Sequence, residues 1–120
     1  MLRVVVADDS RVMRQIVVRT LRQAGYDWDI TEATDGAEAF AIARAEQPDL
    51  VLSDWNMPNM TGIDLLRALR AAGDDVPFGF VTSEGSDDMR HVARRAGAMF
   101  VIAKPFTADT FNDALGRVLV

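Results

Sequence analysis

Residues 50–62 read LVLSDWNMPNMTG. Leu50, Val51 and Leu52 follow one another without polar alternation, the pattern of a strand buried on both faces of a parallel sheet. The run stops at a carboxylate, Asp54, and passes through Trp55, Asn56 and Pro58 into a turn. Turn chemistry alone accounts for an Asp and an Asn where a strand gives way to a loop. The meaning of Asp54 therefore depends on what the rest of the chain brings to the same place.

On either side of this stretch the same alternation of apolar run and helical pattern repeats. LRVVVA (2–7), VPFGFVTS (76–83) and AMFVIA (98–103) are further strand-like runs, and WDITEA (28–33) is a weaker one. Pro77 falls at the beginning of its run, where a missing N–H is tolerated. SRVMRQIVVRTLRQAG (10–25) sets Met13, Ile16, Val17 and Leu21 on one helical face and ends at Gly25. GAEAFAIARAEQ (36–47) is a second helix, stopped by Pro48, and TGIDLLRALRAAG (61–73) a third. SDDMRHVARRAG (86–97) begins with Ser86 as N-cap. TADTFNDALGRVL (107–119) turns Phe111, Ala114, Leu115 and Val118 inward. Five βα units joined by short loops predict a parallel sheet between two helical layers, an open α/β sandwich. Gly79, in the middle of the fourth strand, leaves a gap that Phe78 or Phe80 is expected to fill.

With 120 residues the chain is expected to be one domain, 1–120. Its composition, 49% hydrophobic and 26% charged, excludes a disordered chain. MLRVVVADD enters a strand pattern at once, without a signal peptide, and no apolar run approaches the ~20 residues of a membrane span. The absence of cysteine excludes disulfides and thiolate chemistry, which fits a reducing cytoplasm. A net charge of −5 argues against direct nucleic-acid binding; Arg90, Arg94 and Arg95 read as a solvated helix face. Among the 13 basic residues the single Lys is Lys104.

In an open parallel sheet, ligands sit outside the carboxyl ends of the strands. Those ends carry Asp8 and Asp9, Asp54, Thr82 and Ser83, then Lys104 and Pro105. Asp8, Asp9 and Asp54 are thus expected to converge. Three clustered carboxylates cannot all stay ionised without a cation or raised pKa values. A small set of hard oxygen ligands suits Mg²⁺, which keeps several waters and accepts a phosphate oxygen as a further ligand. Lys104 offers a compact positive charge and Thr82 a hydroxyl donor to such a group. An Asp so placed can act as nucleophile toward phosphorus, giving an aspartyl phosphate.

The stretches VVADDS (5–10), SDWNMPNMTG (53–62), VTSE (81–84) and KPFTADT (104–110) occur in this order and together resemble the receiver domains of two-component response regulators, chemotaxis regulators of the CheY type most closely. The resemblance runs through nearly the whole chain. It implies a (βα)5 flavodoxin-like fold of strand order 2-1-3-4-5 and a phosphorylation-activated switch rather than an enzyme with a separate substrate. It implies Asp54 as phosphoacceptor from a sensor histidine kinase. Mg²⁺ would be held by Asp9, Asp54 and the Asn56 carbonyl, with Asp8 acting largely through water. Lys104 would pair with the phosphoryl group through a loop with a cis bond to Pro105, and Thr82 would carry the signal. Asn56 and Glu84 match positions that tune loss of the phosphoryl group. Output would pass from helix four, strand five and helix five to a downstream protein, a flagellar switch protein or another effector. The chain departs from the family at Val101, where an aromatic usually stands; Phe100 points to the other sheet face. A cytoplasmic monomer is expected, either standing alone or as the receiver module of a longer response regulator.

Three rival readings fit these residues less well. A haloacid dehalogenase-type phosphatase needs a second Asp two residues after the nucleophile, where this chain has Asn56. A nucleotide- or flavin-binding module needs a glycine- or hydroxyl-rich phosphate loop after strand one, where this chain has Asp8 and Asp9. An unphosphorylated scaffold has no use for the intact set of Asp8, Asp9, Asp54, Thr82 and Lys104. His91 reads as an exposed helix residue, Trp55 as a partly open aromatic at the site rim, and Met57 and Met60 as loop packing.

Overall fold

Strands and helices alternate from end to end: β1 (Arg3–Ala7), α1 (Arg11–Gln23), β2 (Asp29–Ala33), α2 (Gly36–Glu46), β3 (Leu50–Ser53), α3 (Gly62–Ala71), β4 (Phe78–Thr82), α4 (Asp87–Ala96), β5 (Phe100–Ala103) and α5 (Ala108–Val118). The computed structural model describes residues 2–83 and 85–118, with side chains through Gly116. The expected role of Glu84 and the inward side chain of Val118 lie outside the described residues. All neighbouring strands are parallel, in the order β2-β1-β3-β4-β5, so the fold is the flavodoxin-like sandwich.

Successive strand residues point to opposite faces, and both faces are covered, which is why the strands read as unbroken apolar runs. On one face Val4, Val6, Leu50, Leu52, Val81 and Ile102 pack under α1 and α5 through Leu21, Phe111 and Leu115. On the other, Val5, Val51, Phe78 and Phe80 pack under α2, α3 and α4 through Ala39, Leu65, Leu66, Leu69 and Ala93. Four helices begin at a side-chain cap: Ser10, Asp35, Thr61 and Ser86 accept the N–H of Met13, Glu38, Asp64 and Met89. Each such cap contributes about 1 kcal/mol where its helix end is otherwise wet.

Two sequence expectations about the core are corrected. Ile16 does not share the inward face of α1 and is 38% exposed. At about 100° per residue, a stripe that buries Val17 and Leu21 carries Ile16 to the flank and brings Arg14 and Thr20 in. The gap at Gly79 is filled by neither Phe78 nor Phe80, which face the α3 side. It is filled by Phe100, the residue beside Gly79 in β5, whose ring a Cβ there would overlap. Among the described residues no helix is long and apolar enough to cross a membrane.

Candidate functional site

The sheet's hydrogen-bond ladder continues one residue past three strands. Asp8 N donates to the Ala33 carbonyl at 3.1 Å, Asp54 N to Ala7 at 2.9 Å, and Lys104 N to Thr82 at 2.8 Å. The backbone of each of these residues is therefore set by the sheet rather than by a loose loop. Their side chains meet: carboxylate oxygens of Asp8, Asp9 and Asp54 all lie within 4.8 Å of one another. Ser10 caps α1, which leaves both acids after β1 unused as helix caps.

Asp8 is buried. One of its oxygens accepts the Ser10 N–H at 2.9 Å, and the other accepts from Lys104 Nζ at 3.3 Å. Asp54 accepts its own following N–H, that of Trp55, at 2.8 Å, and lies 3.8 Å from Lys104 Nζ. The Thr82 hydroxyl, fully buried at the end of β4, lies beside Asp54 and favours its ionised form. Asp9 is the open member of the three. The Lys104–Pro105 peptide is cis.

Burial pushes the Asp54 carboxyl above its ordinary value, and the nearby charge of Asp8 pushes the same way. Lys104, the Trp55 N–H and the Thr82 hydroxyl oppose the rise without cancelling it. Two ionised carboxylates at about 5 Å repel by roughly 3 kcal/mol at an effective dielectric near 20. One ammonium between three acids leaves an excess of negative charge. The donors there are hard oxygens on a partly open rim, which fits a small divalent cation with retained waters.

The loop after β3 is held from two sides. Gly62, the first residue of α3, is where a Cβ would overlap the Asp54 carbonyl oxygen and crowd the Phe80 ring. Gly62 N donates to the Trp55 carbonyl at 2.8 Å. Across the loop, Asn59 donates to Asp35 at 2.7 Å, and Gly36 N donates to the Met60 carbonyl at 3.1 Å. Asp54 thus projects from a stiff frame. Trp55 is half-buried against Phe80, Met57 is buried, and Asn56 is exposed on the loop. His91 is exposed on α4.

Sequence reasoning passed over Arg14. It is buried, donates to the Asp8 carbonyl at 2.7 Å, and is neutralised by Glu32 of β2 at 2.9 Å. It steadies the backbone of the most buried acid. The available signal was a charge lying on the same helical stripe as Val17 and Leu21.

A family model described as the response regulator receiver domain matches residues 4–116. Chemotaxis protein CheY homologues of Campylobacter jejuni are 37% identical over 121 residues, covering 98% of this chain and 92% of theirs. Among solved structures, the chemotaxis response regulator CheY4 of Vibrio cholerae has a TM-score of 0.86 and 36% identity, over 98% of each chain. The receiver domain of the putative response regulator NarL from Mycobacterium tuberculosis has a TM-score of 0.84 and 29% identity, over 98% of this chain and 94% of that one.

Proposed function

The chain belongs to the response regulator receiver domain family, and on that premise we propose that it is a switch set by phosphorylation of Asp54. The observation that carries the reading is the meeting of Asp8, Asp9 and Asp54 within 4.8 Å beside the only Lys of the chain. In the proposed reaction an Asp54 carboxylate oxygen attacks phosphorus of a phosphohistidine on a sensor histidine kinase, or of a small acyl phosphate. The new P–O bond forms as the bond to the donor breaks, and the leaving group takes the electron pair. Water reverses the change by attacking phosphorus, releasing phosphate and the free carboxylate.

Asp9, Asp54 and the Asn56 carbonyl would hold Mg²⁺, with Asp8 acting through a water. When bound, the ion neutralises charge gathering on the equatorial oxygens of the phosphoryl group. Lys104 takes the remaining charge through hydrogen bonds, and the Thr82 hydroxyl turns to a phosphoryl oxygen. Exposed Asn56, together with Glu84, would govern how readily water reaches phosphorus. The protein then acts on itself alone and has no turnover of another substrate.

The output of a single receiver domain over 1–120 would be a population shift of the α4–β5–α5 surface toward one that binds a downstream protein. Likeness to chemotaxis regulators favours a flagellar switch protein as that target. Val101, lacking an aromatic ring, makes another effector the second reading. The chain would act as a cytoplasmic monomer, and the net charge of −5 supports action away from nucleic acid. The test is to add Mg²⁺ and acetyl phosphate to the wild type and to Asp54→Asn, then weigh both proteins. A phosphoryl adduct in the wild type alone is expected; equal labelling of both removes Asp54 as acceptor.

A further inference from the structure

Arg90, in the first turns of α4, reaches out of its helix to two other segments. Its Nε donates to the Gly85 carbonyl at 3.1 Å, and its Nη1 donates to the Val101 carbonyl at 2.9 Å. Gly85 lies three residues after Thr82, and Val101 lies three residues before Lys104. Thr82 and Lys104 are the residues of β4 and of the segment after β5 that engage Asp54. One guanidinium therefore spans the two chain segments that also meet at the acid.

The geometry of this span is demanding. A guanidinium is a planar fork whose donors are fixed relative to one another. Both bonds hold only over a narrow range of separations of the Gly85 and Val101 carbonyls. The surroundings leave little slack: a Cβ on Gly85 would stand 3.1 Å from the Ala103 Cβ and 3.3 Å from Arg90 Nη2. β5 is the edge strand of the sheet, so no further strand competes for donation there. Arg90 also lines an open groove of about 410 Å³ together with Arg94, Met99, Val101, Thr107 and Asp109.

We infer that Arg90 is the residue through which the state of Asp54 is reported to the groove between α4 and α5. This rests on the proposed role of Asp54 as phosphoacceptor. A phosphoryl group adds three strong acceptor oxygens at Asp54. Thr82 and Lys104 follow those oxygens, the separation of Gly85 from Val101 changes, and one arm of the fork is lost. The freed guanidinium then turns into the groove and alters its width and its charge. Arg90 here is a positioning residue for the output surface and takes no part in the chemistry at Asp54.

The test uses amide and arginine Nε–H resonances of the isotopically labelled full chain, with Mg²⁺, before and after acetyl phosphate. In the wild type, phosphorylation is expected to move the Arg90 Nε–H resonance and the amides of Gly85, Val101 and Ile102. In Arg90→Ala and Arg90→Lys, Asp54 still takes up phosphate by mass, while the shifts at Val101, Ile102 and Met99 fall to less than half. Failure of Arg90→Lys to rescue separates the two-armed contact from simple charge. An Arg90 Nε–H resonance that stays in place while Asp54 is labelled overturns the inference and leaves the phosphoacceptor reading standing. No label on wild-type Asp54 overturns that reading, and this inference with it.

Discussion

Lys104 donates to Asp8 at 3.3 Å, a contact between residues 96 apart in sequence that ties the end of β5 to the end of β1 across the intervening strands. Both side chains are nearly closed off, with 16% and 5% exposure. Removing one partner of such a pair leaves the other charge buried and costs far more than the pair is worth when whole. Lys104→Met is therefore expected to destabilise the fold by roughly 2 kcal/mol, after discounting for the open rim. Urea unfolding in the presence of a chelator measures it. Because excess negative charge is the cause, saturating Mg²⁺ should recover at least half of the loss; an equal deficit with and without the ion argues against a shared site.

Asp54 leads to a prediction of opposite sign. Burial first, and Asp8 second, raise its pKa, so its ionised form is held at a cost. Asp54→Asn should thus be more stable than the wild type near neutral pH, by on the order of 1 kcal/mol, or about 4 °C in Tm. Below its ordinary carboxylate value Asp54 is protonated in both folded and unfolded states, and the advantage disappears. As pH rises from there through the raised folded value, the unfolded chain gives up its proton first, and the wild type loses stability relative to the variant. Thermal unfolding of both proteins from pH 3.5 to 7.5 without divalent ions should show the gap opening with pH. A gap that closes with rising pH removes the electrostatic account of the site.

The strand ends were legible because a parallel sheet writes itself as unbroken apolar runs, and each run here stops at or just before a polar residue. That was enough to bring Asp8, Asp9, Asp54, Thr82 and Lys104 to one edge, where the fold gathers them. What sequence could not supply were contacts set by the sideways alignment of elements. Gly79 met Phe100 because β4 and β5 pair in that register, a relation absent from either segment alone. Ile16 was misplaced because a helical face is broad in sequence and narrow once two sheet residues lie beneath it. Arg14 and Arg90 use long side chains to reach carbonyls on other elements, and nothing local to either marks where the head group ends.

Gly62 should resist substitution more than its place in the first turn of a helix suggests. A methyl group there meets the Asp54 carbonyl oxygen, which is backbone and cannot swing aside, and the Phe80 ring. Gly62→Ala is expected to lose about 1–3 kcal/mol, the usual range for overpacking, despite alanine's better helix propensity. Relief of the overlap pushes on Asp54 itself. The variant should also take up phosphate from acetyl phosphate more slowly than the wild type when both are fully folded. Wild-type stability in urea would mean that the loop after β3 is softer than its hydrogen bonds imply.

Trp55 supplies an optical test of the metal site. Its backbone N–H bonds to Asp54 and its half-buried ring packs on Phe80 at 4.8 Å. The other tryptophan, Trp28, is buried in the opposite core layer against Tyr26 and would add an unresponsive background. In Trp28→Phe, addition of Mg²⁺ should change the Trp55 emission saturably with a single-site isotherm, since a cation on Asp54 alters the charge a few ångströms from the indole. Asp9→Asn in the same background removes the charge of one of the three carboxylates that meet within 4.8 Å and should weaken the apparent affinity by at least about tenfold. Thermal unfolding checks the same affinity without light: a ligand at one hundred times its Kd adds about 2.7 kcal/mol to a protein that binds it only when folded. A fluorescence response unchanged by Asp9→Asn would place the ion elsewhere on this acidic chain.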